Sequence, residues 1–291
     1  MSNILCPICQ MASVPYCPKG SASYFRCNSC ETIFQFPLPT IQEMMNYANT
    51  EYVNGMYKEY LKADELKYST FEYRLEKVLR IFRLVNNQGK SHLRILDVGC
   101  SNGRFLDVAL KNGHEAWGLE FSESAIAAAS PSIQKRIIHG DANTIVDLEI
   151  GSFDVITAFD LIEHLFDPVD FLRGLRKVIS KNGVIVFTTP DASSPLRSIM
   201  GKNWSMLQPY QHTVLLSRKS VVHLLKSAGY DLRFVRGTKK FFSLDYLFGQ
   251  LYAVNPALNQ TYNKIKKIFP RFAREKKFGL NIGEMIVGAS S

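Results

Sequence analysis

The sequence predicts an α/β protein: a mostly parallel sheet covered by helices on both faces, preceded by a small cysteine-built unit. Three observations predict it. From Arg94 onward, short apolar runs alternate with helix-spaced segments, the pattern of repeated β-α-β units. Five of the six cysteines lie within the first thirty residues. A glycine turn, Gly99 to Gly103, directly follows the first apolar run, where an open parallel sheet takes its ligands.

Composition narrows the class further. A chain of 291 residues exceeds what one compact core needs, so an appendage or a second domain is expected. Hydrophobic content of 46% with 21% charged residues excludes wholesale disorder. No stretch approaches about 18 uninterrupted apolar residues, which argues against a membrane-spanning helix. The opening MSNILCPICQ has neither a basic nor an apolar signal region, so the reading is a cytoplasmic protein. The net charge is +9, and its surplus is local: residues 231–291 carry 11 Lys/Arg against 4 Asp/Glu, whereas residues 1–50 carry two of each. One basic patch is implied rather than an all-over polycation.

The N-terminal unit comes first. Cys6-Pro7-Ile8-Cys9 and Cys27-Asn28-Ser29-Cys30 are two C-x2-C knuckles with seventeen residues between them. Each knuckle turns two thiolates to one side, and two knuckles supply Cys6, Cys9, Cys27 and Cys30 to a tetrahedral Zn2+ with no position left for water. That is a structural zinc ribbon over 1–40, whose folding energy comes from the metal because so short a segment has little core. Disulfides are the weaker reading in a long chain without an export signal. Cys17 is a spare thiol, and a redox role for the knuckles lacks the strand that should precede it.

Phe36-Pro37-Leu38-Pro39 is a stiff, non-helical link. A helical linker or cap then spans 41–90, rich in tyrosine at 47, 52, 57, 60, 68 and 73. Phe71, Leu75, Val78, Leu79, Phe82 and Val85 recur at helical spacing, so this part is an amphipathic helix with an apolar core face. The tyrosines are also candidates to line a lid.

The alternating region follows. Ile95–Val98 reads as a strand, Gly99–Gly103 as a turn, and residues 105–110 as a helix ending near Asn112-Gly113. Trp117–Glu120 is a second strand; further strands are expected at 136–139, 153–159 and 183–189, with a helix over Val169–Ile179. The turn selects the ligand. A dinucleotide site wants G-x-G-x-x-G; here Asp97-x-Gly99-x-x-x-Gly103 puts an acid immediately before the turn. A carboxylate there would repel a pyrophosphate but can hold an amine, and the glycines let backbone pass close to a ligand. Glu120, at the end of the second strand, can take both hydroxyls of a ribose. Asp141, in His139-Gly140-Asp141-Ala142, can accept from an adenine amine. Amine, ribose and adenine together describe S-adenosylmethionine better than NAD.

On these residues the chain resembles the class I S-adenosylmethionine-dependent methyltransferases. The carrying segments are ILDVGCSNGRFL, WGLEFSESAI, HGDA, FDVITAFDLIEHLFDP and GVIVFTTPD, with a later block from Trp204 through His212 to Gly229. That block resembles the branch acting in sugar, polysaccharide, quinone and natural-product pathways, whose members often carry a cysteine ribbon in front. The resemblance covers about residues 90–236 and the terminal strand near 283–289. It implies a Rossmann-like sheet with one antiparallel final strand, over 91–291, with a cap inserted at 191–216 and a basic aromatic insertion at 237–281. It also implies that Asp97, Gly99, Cys100 and Gly103 form the methionine and ribose side of the cofactor site. Glu120 would hold the ribose, Asp141 and Ala142 would meet adenine, and Phe159 would pack near the sulfonium. Ser101 departs from the family, which places a second glycine there.

Methyl transfer to an alcohol benefits from a base, which directs attention to histidines. His164, just after the fourth strand, and His212, after the Trp204 loop, are the candidates; a hydrogen-bonded structural role is the plain alternative for each. Asp160, Glu163 and His164 could also hold a divalent ion if the turn there is favourable. The insertion interleaves Phe241–Phe248 and Lys264–Arg274 with basic and aromatic residues, chemistry suited to an anionic lipid surface at the inner face of the membrane or to RNA; a helical hairpin that covers the pocket and shows its basic face to water is the plain alternative. The leading expectation is O-methylation of a small-molecule, sugar or lipid-linked glycan acceptor. The alternatives are an RNA methyltransferase, against which the residues Phe159–Ile162 show no Asn-Pro-Pro-Tyr-like motif, and a silent cofactor-binding scaffold.

Overall fold

The computed structural model describes residues 4–20, 22–40, 42–44, 64–87, 90–142, 151–248, 262, 264 and 266–291. The N-terminal segment forms three antiparallel strands, β1 (Ser13–Lys19), β2 (Ala22–Cys27) and β3 (Ile33–Gln35). Both knuckles sit beside this small sheet, with Cys6, Cys27 and Cys30 buried. Cys17 is buried among Tyr24, Ile33, Trp204 and Leu215, so its thiol packs rather than binds.

A 22-residue helix, α1 (Asp64–Val85), follows. Leu75, Val78, Ile81 and Phe82 are buried along one face, as their spacing predicts, and Arg74 is buried on the same side. Tyr47, Tyr52, Tyr57 and Tyr60, the lid candidates, lie outside the described residues; Tyr68 and Tyr73 are on α1.

The alternating region then runs β4 (Arg94–Val98), α2 (Arg104–Lys111), β5 (Glu115–Glu120), α3 (Glu123–Ala127), α4 (Pro131–Gln134), β6 (Ile137–His139), β7 (Phe153–Phe159), α5 (Pro168–Leu175), β8 (Ile179–Pro190), α6 (Pro195–Met200), β9 (Val214–Leu215), α7 (Arg218–Ala228) and β10 (Asp231–Gly237). After it come β11 (Lys240–Phe242), α8 (Arg271–Glu275), β12 (Phe278–Leu280) and β13 (Glu284–Ser290). Seven strands make one sheet in the order β10-β13-β8-β7-β4-β5-β6. Only β13 runs against its neighbours, pairing antiparallel with both β8 and β10. Ile95, Leu96, Val98, Phe153, Val155 and Ile156 are all buried, the continuous apolar runs that a sheet covered on both faces requires.

One expected boundary is corrected. The helix predicted to reach Ile179 ends at Leu175, because its last turn tightens: Arg176 N, Lys177 N and Val178 N donate to carbonyls three residues back. Ile179 then pairs with Phe153 as the first residue of β8. Helix α7 starts with a capping box between Ser217 and Ser220 and ends at Gly229 in the left-handed region.

The cysteine sheet is not free-standing. Its fourth strand is β9, from the cap: Ile33 pairs with Leu215 and Phe34 with Val214. The Ser217 hydroxyl donates to the Cys30 carbonyl at 2.5 Å. Among the described residues no helix is long and apolar enough to cross a membrane.

Candidate active site

The glycine turn leaves β4 with its amides turned back onto β5: Gly99 N donates to the Leu119 carbonyl at 2.8 Å. Gly99 and Gly103 both have positive φ, 74° and 70°, and Gly103 caps α2. A Cβ on Gly103 would run into Ile133, so the position needs glycine for space as well as for backbone freedom. Ser101 stands in the left-handed region at φ 50°. The unusual serine is held there by its amide, which donates to Glu120 Oε2 at 2.7 Å. Glu120 Oε1 accepts from Ser122 N at 2.8 Å, so one carboxylate ties both loops at the sheet edge. Each oxygen keeps a lone pair for a further donor, the requirement for binding a diol.

Asp97 lies at the end of β4, 3% exposed, accepting from the Thr157 hydroxyl at 2.6 Å. Burial pushes its carboxyl up to about 7, so a cation placed beside it would be drawn to the ionised form. Cys100 is buried against Gly118, and burial pushes its thiol up; only its backbone can face a ligand. Gly140 N donates to the Glu120 carbonyl at 3.0 Å, which brings exposed Asp141 and half-buried Ala142 to the Glu120 side of the sheet. Phe159 ends β7, edge-on to Phe105 with ring centroids 4.9 Å apart.

These residues form a cradle of small backbone, one buried acid and one diol acceptor, which fits the three parts of S-adenosylmethionine. Two residues escaped the sequence reading. Phe121, next to Glu120, is 57% exposed, and its carbonyl accepts from His139 Nε2 at 3.0 Å. Arg74 carries a buried guanidinium 4.9 Å from the Phe159 ring centroid. Arg74 was findable: an arginine inside the apolar stripe of Phe71, Leu75 and Val78 demands a buried anion.

The acids it meets are half-buried Asp160, at φ 53° just beyond β7, and buried Glu284. Arg74 Nη2 donates to both Asp160 oxygens, at 3.0 and 3.2 Å, and Lys240 and Glu284 complete the cluster. Burial alone would raise the Asp160 carboxyl, but Arg74 and Lys240 hold it well below the usual carboxylate range. Asp160 is therefore not available to a metal ion, which corrects one of the three ligands suggested by the sequence.

The chain next makes a short helical turn, Ile162–His164. Thr213, next to β9, lashes the cap onto it: Thr213 N donates to the Glu163 carbonyl at 2.8 Å and its hydroxyl to the Leu165 carbonyl at 2.7 Å. The cap thus brings His212 onto His164, with ring centroids 4.9 Å apart. His164 Nδ1 meets the Gln211 carbonyl at 2.9 Å and His212 Nδ1 the Met206 carbonyl at 2.8 Å. Burial lowers both imidazoles, His212 to about 3, so both are neutral at physiological pH. Nδ1 therefore anchors each ring, and Nε2 keeps its lone pair.

The fold and this cradle together define a class I S-adenosylmethionine-dependent methyltransferase. Residues 69–233 match the family of the methyltransferase domain, and the chain belongs to it. Among curated proteins, a ubiquinone biosynthesis O-methyltransferase of Albidiferax ferrireducens is 26% identical over 180 residues, covering 53% of this chain and 71% of the relative. A probable S-adenosylmethionine-dependent methyltransferase of Mycolicibacterium smegmatis is 29% identical over 143 residues, covering 47% of this chain and 52% of the relative. Among solved structures, the plantazolicin methyltransferase BamL, in complex with a triazolic desmethylPZN analog and SAH, shares the fold at a TM-score of 0.52 and 16% identity, covering 86% of this chain and 96% of that one. A SAM-dependent methyltransferase from Archaeoglobus fulgidus does so at 0.50 and 18%, covering 80% and 99%.

Glu120→Ala is expected to weaken S-adenosylmethionine binding about tenfold or more, on the order of 1.4 kcal/mol, because it frees two loop amides and would remove the acceptor expected for the ribose hydroxyls. Unchanged calorimetric affinity would remove Glu120 from the cofactor site.

Proposed function

We propose that this chain transfers a methyl group to a hydroxyl oxygen of a small-molecule, sugar or lipid-linked glycan acceptor. The observation that carries the reading is the His164–His212 pair: two neutral imidazoles on the Asp160 side of the sheet ends, each anchored at Nδ1 and open at Nε2. S-adenosylmethionine supplies an already activated methyl. The chain's task is to hold Asp97, Gly99, Cys100, Gly103, Glu120, Asp141, Ala142 and Phe159 around that cofactor and to present a hydroxyl in line. The acceptor's hydroxyl would be received on the imidazole side. The O-methyltransferase names of several curated relatives support this choice of atom.

The four-cysteine cluster fits a structural zinc. Sγ atoms of Cys6 and Cys30, and of Cys9 and Cys27, are 3.5 Å apart, and Cys9 and Cys30 are 3.3 Å apart. Tetrahedral Zn–S bonds of about 2.3 Å require sulfurs about 3.8 Å apart, so a slight expansion admits the ion. The chain divides in this reading into ribbon (1–40), helical linker (41–90) and methyltransferase domain (91–291), with the ribbon sheet borrowing β9.

In the insertion, Ile268 is 77% and Phe272 78% exposed, with Phe269 beside them and Lys264, Arg271 and Lys276 exposed nearby. Apolar tips ringed by cations suit peripheral contact with an anionic membrane surface, the site where a cytoplasmic enzyme meets a lipid-linked acceptor. Residues 249–261 of that insertion lie outside the described residues.

The test is transfer of labelled methyl into a fractionated host extract. Label in the small-molecule, glycan or lipid pool is expected, and it should fall about 100-fold in His164→Ala and His212→Ala at unchanged cofactor affinity. Label in nuclease-sensitive RNA would replace the reading with an RNA methyltransferase. Cofactor binding with no label in any pool would favour the scaffold.

A further inference from the structure

We propose that Glu163, His164 and His212 hold a divalent transition-metal ion, in a second metal site distinct from the four cysteines. One ligand atom from each of the three lies within 4.8 Å of the others. The grouping is tertiary: the first two residues come from the turn after β7, and the third is delivered by the cap through Thr213.

The imidazoles are prepared as ligands. A backbone carbonyl can only accept, so the carbonyls of Gln211 and Met206 place the proton on Nδ1 of each ring. Nε2 is left with its lone pair, and the ring cannot turn without losing its bond. An outer hydrogen bond that sets the tautomer and fixes the ring is what metal-binding histidines use.

The carboxyl makes the second, independent observation. Glu163 is 2% exposed, and its Oε2 makes no hydrogen bond of ordinary geometry among the described residues; the Thr189 hydroxyl lies close enough to act on the carboxyl electrostatically, but its own Oγ1 is left without a well-formed bond too. A buried carboxyl oxygen without a partner costs about 1–3 kcal/mol or more, so its retention calls for a ligand. The other acids of this region have cations beside them: Asp160 meets Arg74, Lys240 and the Thr188 hydroxyl, and Glu284 meets Lys240 through Oε1 while its Oε2, without a hydrogen bond, lies 3.7 Å from Arg74.

Two nitrogens and one oxygen favour Zn2+ and its first-row neighbours over Mg2+ or Ca2+, which prefer oxygen alone. Metal–ligand distances of about 2.1 Å require the three atoms to draw in by about an ångström, a movement that rotation of Glu163 and the cap-borne His212 can make. Three protein ligands would leave coordination open; because a bound ion takes both Nε2 lone pairs, the hydroxyl in the proposed function would then be polarised by the ion and not received by a free imidazole. The site stands on this geometry whichever atom is methylated.

Full-length protein stripped of metal is titrated with Co2+, and bound metal is counted after desalting. Two equivalents are expected for the unaltered chain and one each for Glu163→Gln and His164→Ala. The Cys6→Ser/Cys30→Ser variant should also keep one, without the thiolate absorption of the other site. S-adenosylmethionine affinity checks that each variant is folded. A single equivalent that the cysteine variant loses and Glu163→Gln keeps would overturn the proposal. A single equivalent with the reverse pattern would support this site and remove the zinc ribbon instead.

Discussion

Cys6→Ser combined with Cys30→Ser is expected to abolish methyl transfer, by about 100-fold or more, while cofactor binding persists. The knuckles and the candidate acceptor site are far apart in sequence but share hydrogen bonds. The Tyr24 hydroxyl donates to the His212 carbonyl at 3.3 Å, across 188 positions. Gln35 N donates to the Thr213 carbonyl at 2.9 Å, and Tyr210 N to Gln35 Oε1 at 3.2 Å. The ribbon therefore splints the loop that carries His212. Structural zinc contributes on the order of 10 kcal/mol to small folds of this kind, so loss of the proposed ion would unfold the ribbon and remove these braces, leaving the Thr213 bonds to Glu163 and Leu165 to keep His212 close to its partners but less well aligned. Asp97, Glu120 and the glycine turn lie on β4 and β5, outside that sheet, which is why cofactor affinity should survive. The measurements are zinc content, proteolysis at the N-terminus, and transfer rate against calorimetric affinity. A zinc-free variant with full activity would end this account of the ribbon.

Arg74→Met should destabilise the protein by about 3 kcal/mol, lowering Tm by about 5–10 °C. Arg74 is 2% exposed and faces both Asp160 and Glu284; without it, Lys240 alone must serve two acids. The sign with pH follows from Asp160, whose folded carboxyl is held below its unfolded value. That stabilisation is fully present above about pH 4, the unfolded range, and fades as pH falls through the folded value. The gap in Tm between the two proteins should therefore be full at neutral pH and narrow in acid. Arg74→Met with Asp160→Asn should recover part of the loss, because one acid less is left uncompensated. A Tm change below about 2 °C for the single variant would show that the cluster contributes little.

Much of this was legible along the chain. Apolar runs of four to seven residues marked β4, β5 and β7 closely, since a strand buried on both faces is apolar at most positions, with a polar residue kept only where it is paired, as Asp97 and Thr157 are. The two C-x2-C knuckles and the Asp97–Gly103 turn were equally plain, because each is a local device whose chemistry lies within a few residues. Ser101 was flagged as a departure, but its support by Glu120 was not visible, since that bond joins the ends of two strands.

What the sequence by itself determined is therefore the α/β order, the glycine turn with its neighbouring acids, the cysteine quartet and the family. These depend on periodicity and on contacts within one turn or one loop. Only the tertiary structure decided that β9 completes the cysteine sheet, that Arg74 meets Asp160 from 86 positions away, and that His212 closes on Glu163 and His164. Such pairings depend on which faces pack together, and burial then leaves each polar group to find its partner wherever the fold has brought one.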